Sequence, residues 1–178
     1  MAYLLRKIEN FKCANTLLFF FTNIMPMTTD DLVFIFCSNG VFISWLALII
    51  APKWKWTSSI TKVAVVALCV VYTYYFGTYL LNSKDVVSVY ADMGTLSGVG
   101  KMFRDPAIHL PAWVHYLAFD LTVGHYLVQK NIADANGLSK LVMAPCVILS
   151  CMAGPVGVLL YVILRTSSGL VSRKPHDF

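Results

Sequence analysis

Apolar residues gather in four long runs separated by short polar stretches. The first extends from Leu32 to Ala51, directly after Thr28, Thr29, Asp30 and Asp31, whose side chains suit a helix N-terminus. It closes at Pro52 and the basic aromatic cluster Lys53-Trp54-Lys55-Trp56. A second run covers Ile60 to Leu81, after the capping residues Ser58 and Ser59, and carries Tyr72, Tyr74, Tyr75 and Tyr79 in its far half. The third extends from Pro111 to Gln129, with proline at its helical entry. Beyond the turn Asp134-Ala135-Asn136-Gly137 comes the fourth, Leu138 to Leu164, interrupted by Pro145 and Pro155 and stopped at Arg165. An α-helix needs roughly 20 mostly apolar residues to cross a bilayer. The pattern therefore predicts an all-α integral membrane bundle of four transmembrane helices, with spans at about 32–51, 60–81, 111–129 and 138–164. Residues 28–165 form the membrane domain and 166–178 a polar tail.

Two other segments have readable character. Residues 1–27 carry Arg6, Lys7 and Lys12 with Glu9 as the only acid, and Leu4, Ile8, Phe11, Asn15 and Leu18 fall near one helical face. That pattern predicts an amino-terminal interfacial helix, with a targeting peptide as the rival reading. The connection from Asn82 to Leu110 predicts a short helix near Val99 to Phe103 and is long enough to form a lid. An even number of spans would put both chain ends, with Arg165 and the basic tails, on one side, and Lys53, Lys55, Lys62, Lys130 and Lys140 on the other.

Composition narrows the class. Of the 178 residues 58% are hydrophobic and 13% charged, and the mean hydropathy is +0.68, which excludes an ordinary soluble domain and a disordered chain. The net charge of +5 flanks the apolar runs, so anionic membrane lipids and not nucleic acid are the expected partners. Five cysteines, Cys13, Cys37, Cys69, Cys146 and Cys151, form no CxxC pair, and their odd number signals neither a disulfide framework nor a redox motif.

Asp120 is the sharpest chemical feature. It lies near the middle of the third run, where an ionised carboxylate costs on the order of 2.5–3.5 kcal/mol, so it requires an inward partner or protonation. His115, His125 and Arg165 could complete an acid/base or ion-pair cluster; the equal alternative is interhelical glue, with Asp120 bonded to Asn39, Ser38 or a tyrosine. A metal centre is not expected, because His115, Asp120 and His125 are spaced by five and each step turns about 140° around a helix. Four histidines are also too few for a histidine-rich di-iron site, and with three crowded on one segment they supply no facing haem ligands, so no cofactor is expected. Gly154-Pro155-Val156-Gly157 predicts a kink or binding concavity, and the tyrosines of the second run predict interface anchors or a rail for a flat conjugated ligand.

The run Pro111-Ala112-Trp113-Val114-His115-Tyr116-Leu117-Ala118-Phe119-Asp120-Leu121-Thr122-Val123-Gly124, followed by Gly154-Pro155-Val156-Gly157-Val158-Leu159-Leu160-Tyr161, resembles the neoxanthin synthase-like family of abscisic-acid-deficient-type membrane proteins. Ser38-Asn39, the segment Ala51 to Thr57 and Leu96-Ser97-Gly98-Val99 extend the likeness over about Leu32 to Arg165. The resemblance implies a plastid membrane protein that isomerises the carotenoid epoxide violaxanthin to an allenic alcohol without a cofactor, one group removing a polyene proton while another protonates the epoxide oxygen. It implies His115 and Asp120 as the base and acid, Arg165 as their electrostatic partner, and Asn39, Trp113, Gly124, His125, Gly154 and Pro155 as ligand contacts. The competing class is a non-enzymatic accessory subunit of a large energy-transducing organellar complex, for instance in the mitochondrial inner membrane, partnered by other subunits. An enzyme should show an elongated apolar cavity walled by His115 and Asp120, and a subunit a fully hydrogen-bonded Asp120.

Overall fold

The computed structural model describes residues 27–83 and 85–171, with side chains through residue 168. The predicted amino-terminal interfacial segment and the end of the tail lie outside these residues. The chain divides after Val33. In the described part of the first unit, the Thr28 hydroxyl accepts from the Asp31 amide (3.2 Å) while the Asp31 carboxylate accepts from the Thr28 amide (2.9 Å), a reciprocal cap that starts helix α1. The second unit, from Phe34 onward, holds everything described below.

Helix α1 (Thr29–Ile50) and helix α2 (Thr57–Asn82) are joined by a tight turn in which the Thr57 hydroxyl donates to the Ala51 carbonyl (2.7 Å). At 1.5 Å per residue they are about 33 and 39 Å long, enough for a hydrocarbon core of about 30 Å. Both are long and apolar enough to cross a membrane, and protein covers little of α2's most apolar stretch. The connection that follows is built from caps. Asp85 accepts from the Val87 amide (2.9 Å), Thr95 from Gly98 (3.1 Å) and Asp105 from Ala107 (3.0 Å), starting α3 (Val86–Met93), α4 (Leu96–Met102) and a 3-10 turn (Pro106–Ile108). The helix expected near Val99 is α4; α3 is additional.

Helix α5 (His109–Ala133) is the centre of the unit. Its buried residues Pro111, Val114, Ala118, Leu121, Gly124, Val128 and Asn131 recur in steps of three and four, the stripe of a helix covered along one face. It packs against α2 and against α6 (Lys140–Ala153) and α7 (Pro155–Val171), while α1 reaches it through side chains. Trp45 of α1 lies on Gly124, where an added Cβ would come within 2.6 Å of the indole ring. The Trp113 indole donates to the Ser38 hydroxyl (3.0 Å). Leu48, Leu68, Cys146, Val147 and Tyr161 complete the core around Val114, Leu121 and Val128. Of the four predicted spans, two meet the length and apolarity of a crossing helix among the described residues. The third does not, because polar residues such as His115, Asp120 and His125 lower the hydropathy of α5.

The fourth run departs furthest from expectation. It is two helices, α6 and α7, of about 21 and 26 Å, broken at Gly154. They do not continue one another. A side chain on Gly157 would collide with Ser150 and the Cys146 carbonyl, although seven residues of continuous helix would separate Ser150 from Gly157 by about 10 Å. Arg165 of α7 pairs with Asp134, which precedes α6. Thus α7 turns back along α6 and ends on the side where α1 ends, the Lys140 ammonium donating there to the Ile50 carbonyl. The break falls at Gly154, whose backbone (φ 9°, ψ −78°) is not helical, and Pro155 suits the first turn of the helix that follows; proline alone does not break the run, since Pro145 lies inside α6.

Two outcomes follow. In sealed vesicles carrying an otherwise cysteine-free chain, Ala135→Cys and Ser168→Cys will react with an impermeant maleimide from the same side; a single continuous fourth span would put them on opposite sides. Gly124→Ala will push the Trp45 ring out of its seat and lower stability by about 1–3 kcal/mol, read as a fall in the unfolding midpoint in detergent.

Candidate functional site

Helical spacing assembles the site. Tyr72, Phe76 and Tyr79 lie at i, i+4 and i+7 on α2, and His115 and Phe119 at i and i+4 on α5, so each set shares a face. Where the two helices meet, the rings join in a ladder. Phe76 stacks between Tyr79 (6.2 Å between centroids) and Tyr72 (5.3 Å), Tyr72 tilts onto His115 (5.4 Å), and His115 stacks on Phe119 (4.5 Å). These separations are those of attractive ring pairs, and His115 and Phe119 are exposed. The sequence pointed to the tyrosines as a rail; Phe76, Phe119 and the place of His115 among them were missed, although the i, i+4 spacing of His115 and Phe119 was the available signal.

Asp120 faces the other way. The five-residue step from His115 carries its carboxylate to the hairpin apex, where a side chain on Gly154 would strike it. Cys151 lies within its electrostatic reach. No described residue donates a hydrogen bond to this carboxylate. The expected glue partners are engaged elsewhere, Asn39 donating to the Ile35 carbonyl of its own helix (2.9 Å) and Ser38 accepting from Trp113. His125 meets Ser58 of α2 (3.1 Å), with Lys62 close by. Trp113 also tilts against Phe34 (5.6 Å). Pro155 opens α7 and is exposed. His115, Asp120 and Arg165 are therefore on three different contacts, and the structure does not bring them together.

Two cavities flank these contacts. One, of about 530 Å³, is an apolar groove between α1 and α2 lined by Gly40, Val41, Ser44, Ala64 and Leu68, among others. Ser44 is 1% exposed and its hydroxyl has no hydrogen-bond partner among the described residues, a feature that nothing in the sequence signalled. The other, of about 340 Å³, lies where the α5–α6 turn meets the end of α1. Neither is lined by His115 or Asp120. Among the described residues no three His, Cys, Asp or Glu side chains gather as metal ligands.

The α5–α6 turn is itself tightly held. The Asn131 side chain donates to the Leu138 carbonyl (2.9 Å) and accepts from its amide (2.7 Å). The Asn136 amide, and then Arg165, hold the Asp134 carboxyl below the usual carboxylate value.

The fold and its contacts define an all-helical protein with two membrane-length helices and a third helix wrapped by the others. The chain belongs to the ABA DEFICIENT 4-like family, whose model matches residues 32–161. No curated protein and no solved structure matches it.

Because Asp134 is depressed in the folded chain, the stabilisation it gives is present above its ordinary value of 3.8 and is lost as the pH falls through the lower folded value. Unfolding midpoints of the wild type and Asp134→Asn, measured against pH in detergent, will differ near neutrality and converge in acid. Arg165→Gln will narrow the difference.

Proposed function

We propose that this chain is a neoxanthin synthase-like membrane protein that isomerises a carotenoid epoxide of the violaxanthin kind, or binds a similar long conjugated ligand, in a plastid membrane. In this reading α1, α2 and α5 cross the bilayer, and the α6–α7 hairpin occupies the fourth position of the bundle. Family membership supports the class of ligand. The observation that carries the reading is the ring ladder, since a row of stacked rings offers a long polyene a continuous aromatic surface and His115 stands within the row.

His115 is the proposed proton acceptor. Removal of a polyene C–H proton to the imidazole forms the allene as the adjacent C–O bond of the epoxide opens, and the released oxygen takes a proton from the phenol of Tyr72, the neighbouring ring. No electron is gained or lost, so the step needs no redox partner. Asp120, on the opposite side of α5, acts in this arrangement on the hairpin apex. An accessory subunit would hold Asp120 in a closed hydrogen-bond set, and nothing described favours that alternative.

Expression in a host that accumulates violaxanthin, followed by pigment separation, tests the reading. The wild type should yield allenic product and His115→Ala at least hundredfold less, within the range for losing a general base. Gly40→Leu, which fills the α1–α2 groove where an added Cβ meets no atom within 4 Å, should leave product unchanged. Folded wild-type protein that makes no product overturns the enzymatic reading. Loss of product in Gly40→Leu with retention in His115→Ala moves the ligand from the ladder to the groove.

A further inference from the structure

The 340 Å³ cavity lies apart from the ring ladder and takes no part in the proposed reaction. Its floor is apolar, formed by Leu48, Val128, Met143 and Val147, of which three are almost fully enclosed. Lys53 and Lys140 also line the cavity, the Lys140 ammonium lying at the Ile50 carbonyl where α1 ends. Asp134, the one carboxylate on the wall, is already paired with Arg165, so the opening presents uncompensated positive charge.

Position gives this polarity a meaning. Leu48 lies in the last turn of α1; Lys53 follows just beyond that helix, beside Trp54 and Trp56, residue types that settle at membrane interfaces. Lys140 opens α6 and reaches the Ile50 carbonyl at the same level. The cavity thus runs from headgroup depth at the lysines to acyl depth at the floor. A free anion would leave the apolar floor unused, and a zwitterionic lipid would bring its own cation to a wall that already carries two lysines.

The geometry points to a binding site for one anionic phospholipid, its phosphate between Lys53 and Lys140 and the upper part of an acyl chain on the floor made by Leu48, Val128, Met143 and Val147. The inference rests on the reading that α1 and α2 cross a bilayer, not on the isomerase chemistry. A bound lipid would bridge the α1–α2 turn to the start of α6, two segments that the Lys140 to Ile50 contact already joins.

The test uses the full chain in neutral detergent micelles, titrated with phosphatidylglycerol, phosphatidylcholine or inorganic phosphate, with bound lipid counted by native mass spectrometry. Phosphatidylglycerol should bind one per chain and at least tenfold more tightly than phosphatidylcholine. Lys53→Gln should remove most of that preference, and Lys53→Gln with Lys140→Gln all of it. Ala144→Leu, which fills the cavity wall, should weaken phosphatidylglycerol without altering the fold, read by helical circular dichroism. Lys55→Gln, in the same turn but outside the cavity, should change nothing. Should the double variant fail to fold, Lys53→Gln and Ala144→Leu decide alone. Equal binding of the two lipids, full competition by inorganic phosphate, or an equal loss in Lys55→Gln overturns the site in favour of no selectivity, a simple anion site or diffuse surface charge. Release of the chain from native membranes by alkaline carbonate would instead overturn the membrane reading itself.

Discussion

Coverage of α5 by its neighbours is the constraint on which the rest of the second unit depends. Lipid gives helices little hydrophobic reason to associate, so packing must come from close approach and from polar contacts. Both are concentrated on α5. Gly124 lets the Trp45 ring lie on its backbone, Gly154 brings the hairpin apex against Asp120, and Trp113 and His125 reach hydroxyls on α1 and α2. A carboxylate that would be costly against acyl chains is thereby turned towards protein. α1 and α2, which carry no such burden, remain apolar, with α2 the less covered of the two.

That coverage assigns different work to the two sides of α5. Towards α2 it offers His115 and Phe119, which extend the row of rings begun by Tyr72 and Phe76. Towards α6 and α7 it offers Asp120, which meets the point where the chain reverses. The ring row and the hairpin contact are separated by the thickness of one helix, so a change at Gly154 is transmitted towards the ladder through α5. The Arg165–Asp134 pair fixes the free end of α7 to the turn that begins α6, closing the hairpin at its base as Gly154 closes it at its apex.

The helices of the first half were legible because a long apolar run bounded by caps and a Pro-Lys-Trp break admits one reading. The fourth run was not, since 27 mostly apolar residues with two internal prolines suit a kinked span and a hairpin equally. What separates them is the seating of Gly157 on Cys146 and Ser150, a contact between residues whose identities say nothing of each other. The sequence singles out Asp120 as needing an explanation but not what it meets, because it does not say which helices stand on either side of α5. Helix α3 was missed although Asp85 lies in the cap position; with eight residues and no buried side chain it gives no periodic signal.

Reversal of α7 also rearranges the charge of the molecule. If the fourth run crossed once, Arg165 would lie with the α3–α4 connection, adding to Lys101 and Arg104. Folded back, it joins Lys53, Lys55, Lys62, Lys130 and Lys140 at the opposite end, where Asp134 is its partner. The connection that carries α3 and α4 keeps Asp85, Asp92 and Asp105, with Lys101 engaged by Asp92 (3.0 Å). Within the second unit one end therefore carries six cations against Asp134, while the described α3–α4 connection carries three acids against two bases, a difference to which the reversal of α7 contributes Arg165. Basic loops are retained on the side from which a membrane protein inserts. Two of these six cations, Lys53 and Lys140, line the 340 Å³ cavity, so the cavity lies at the end of the second unit that carries the excess of positive charge.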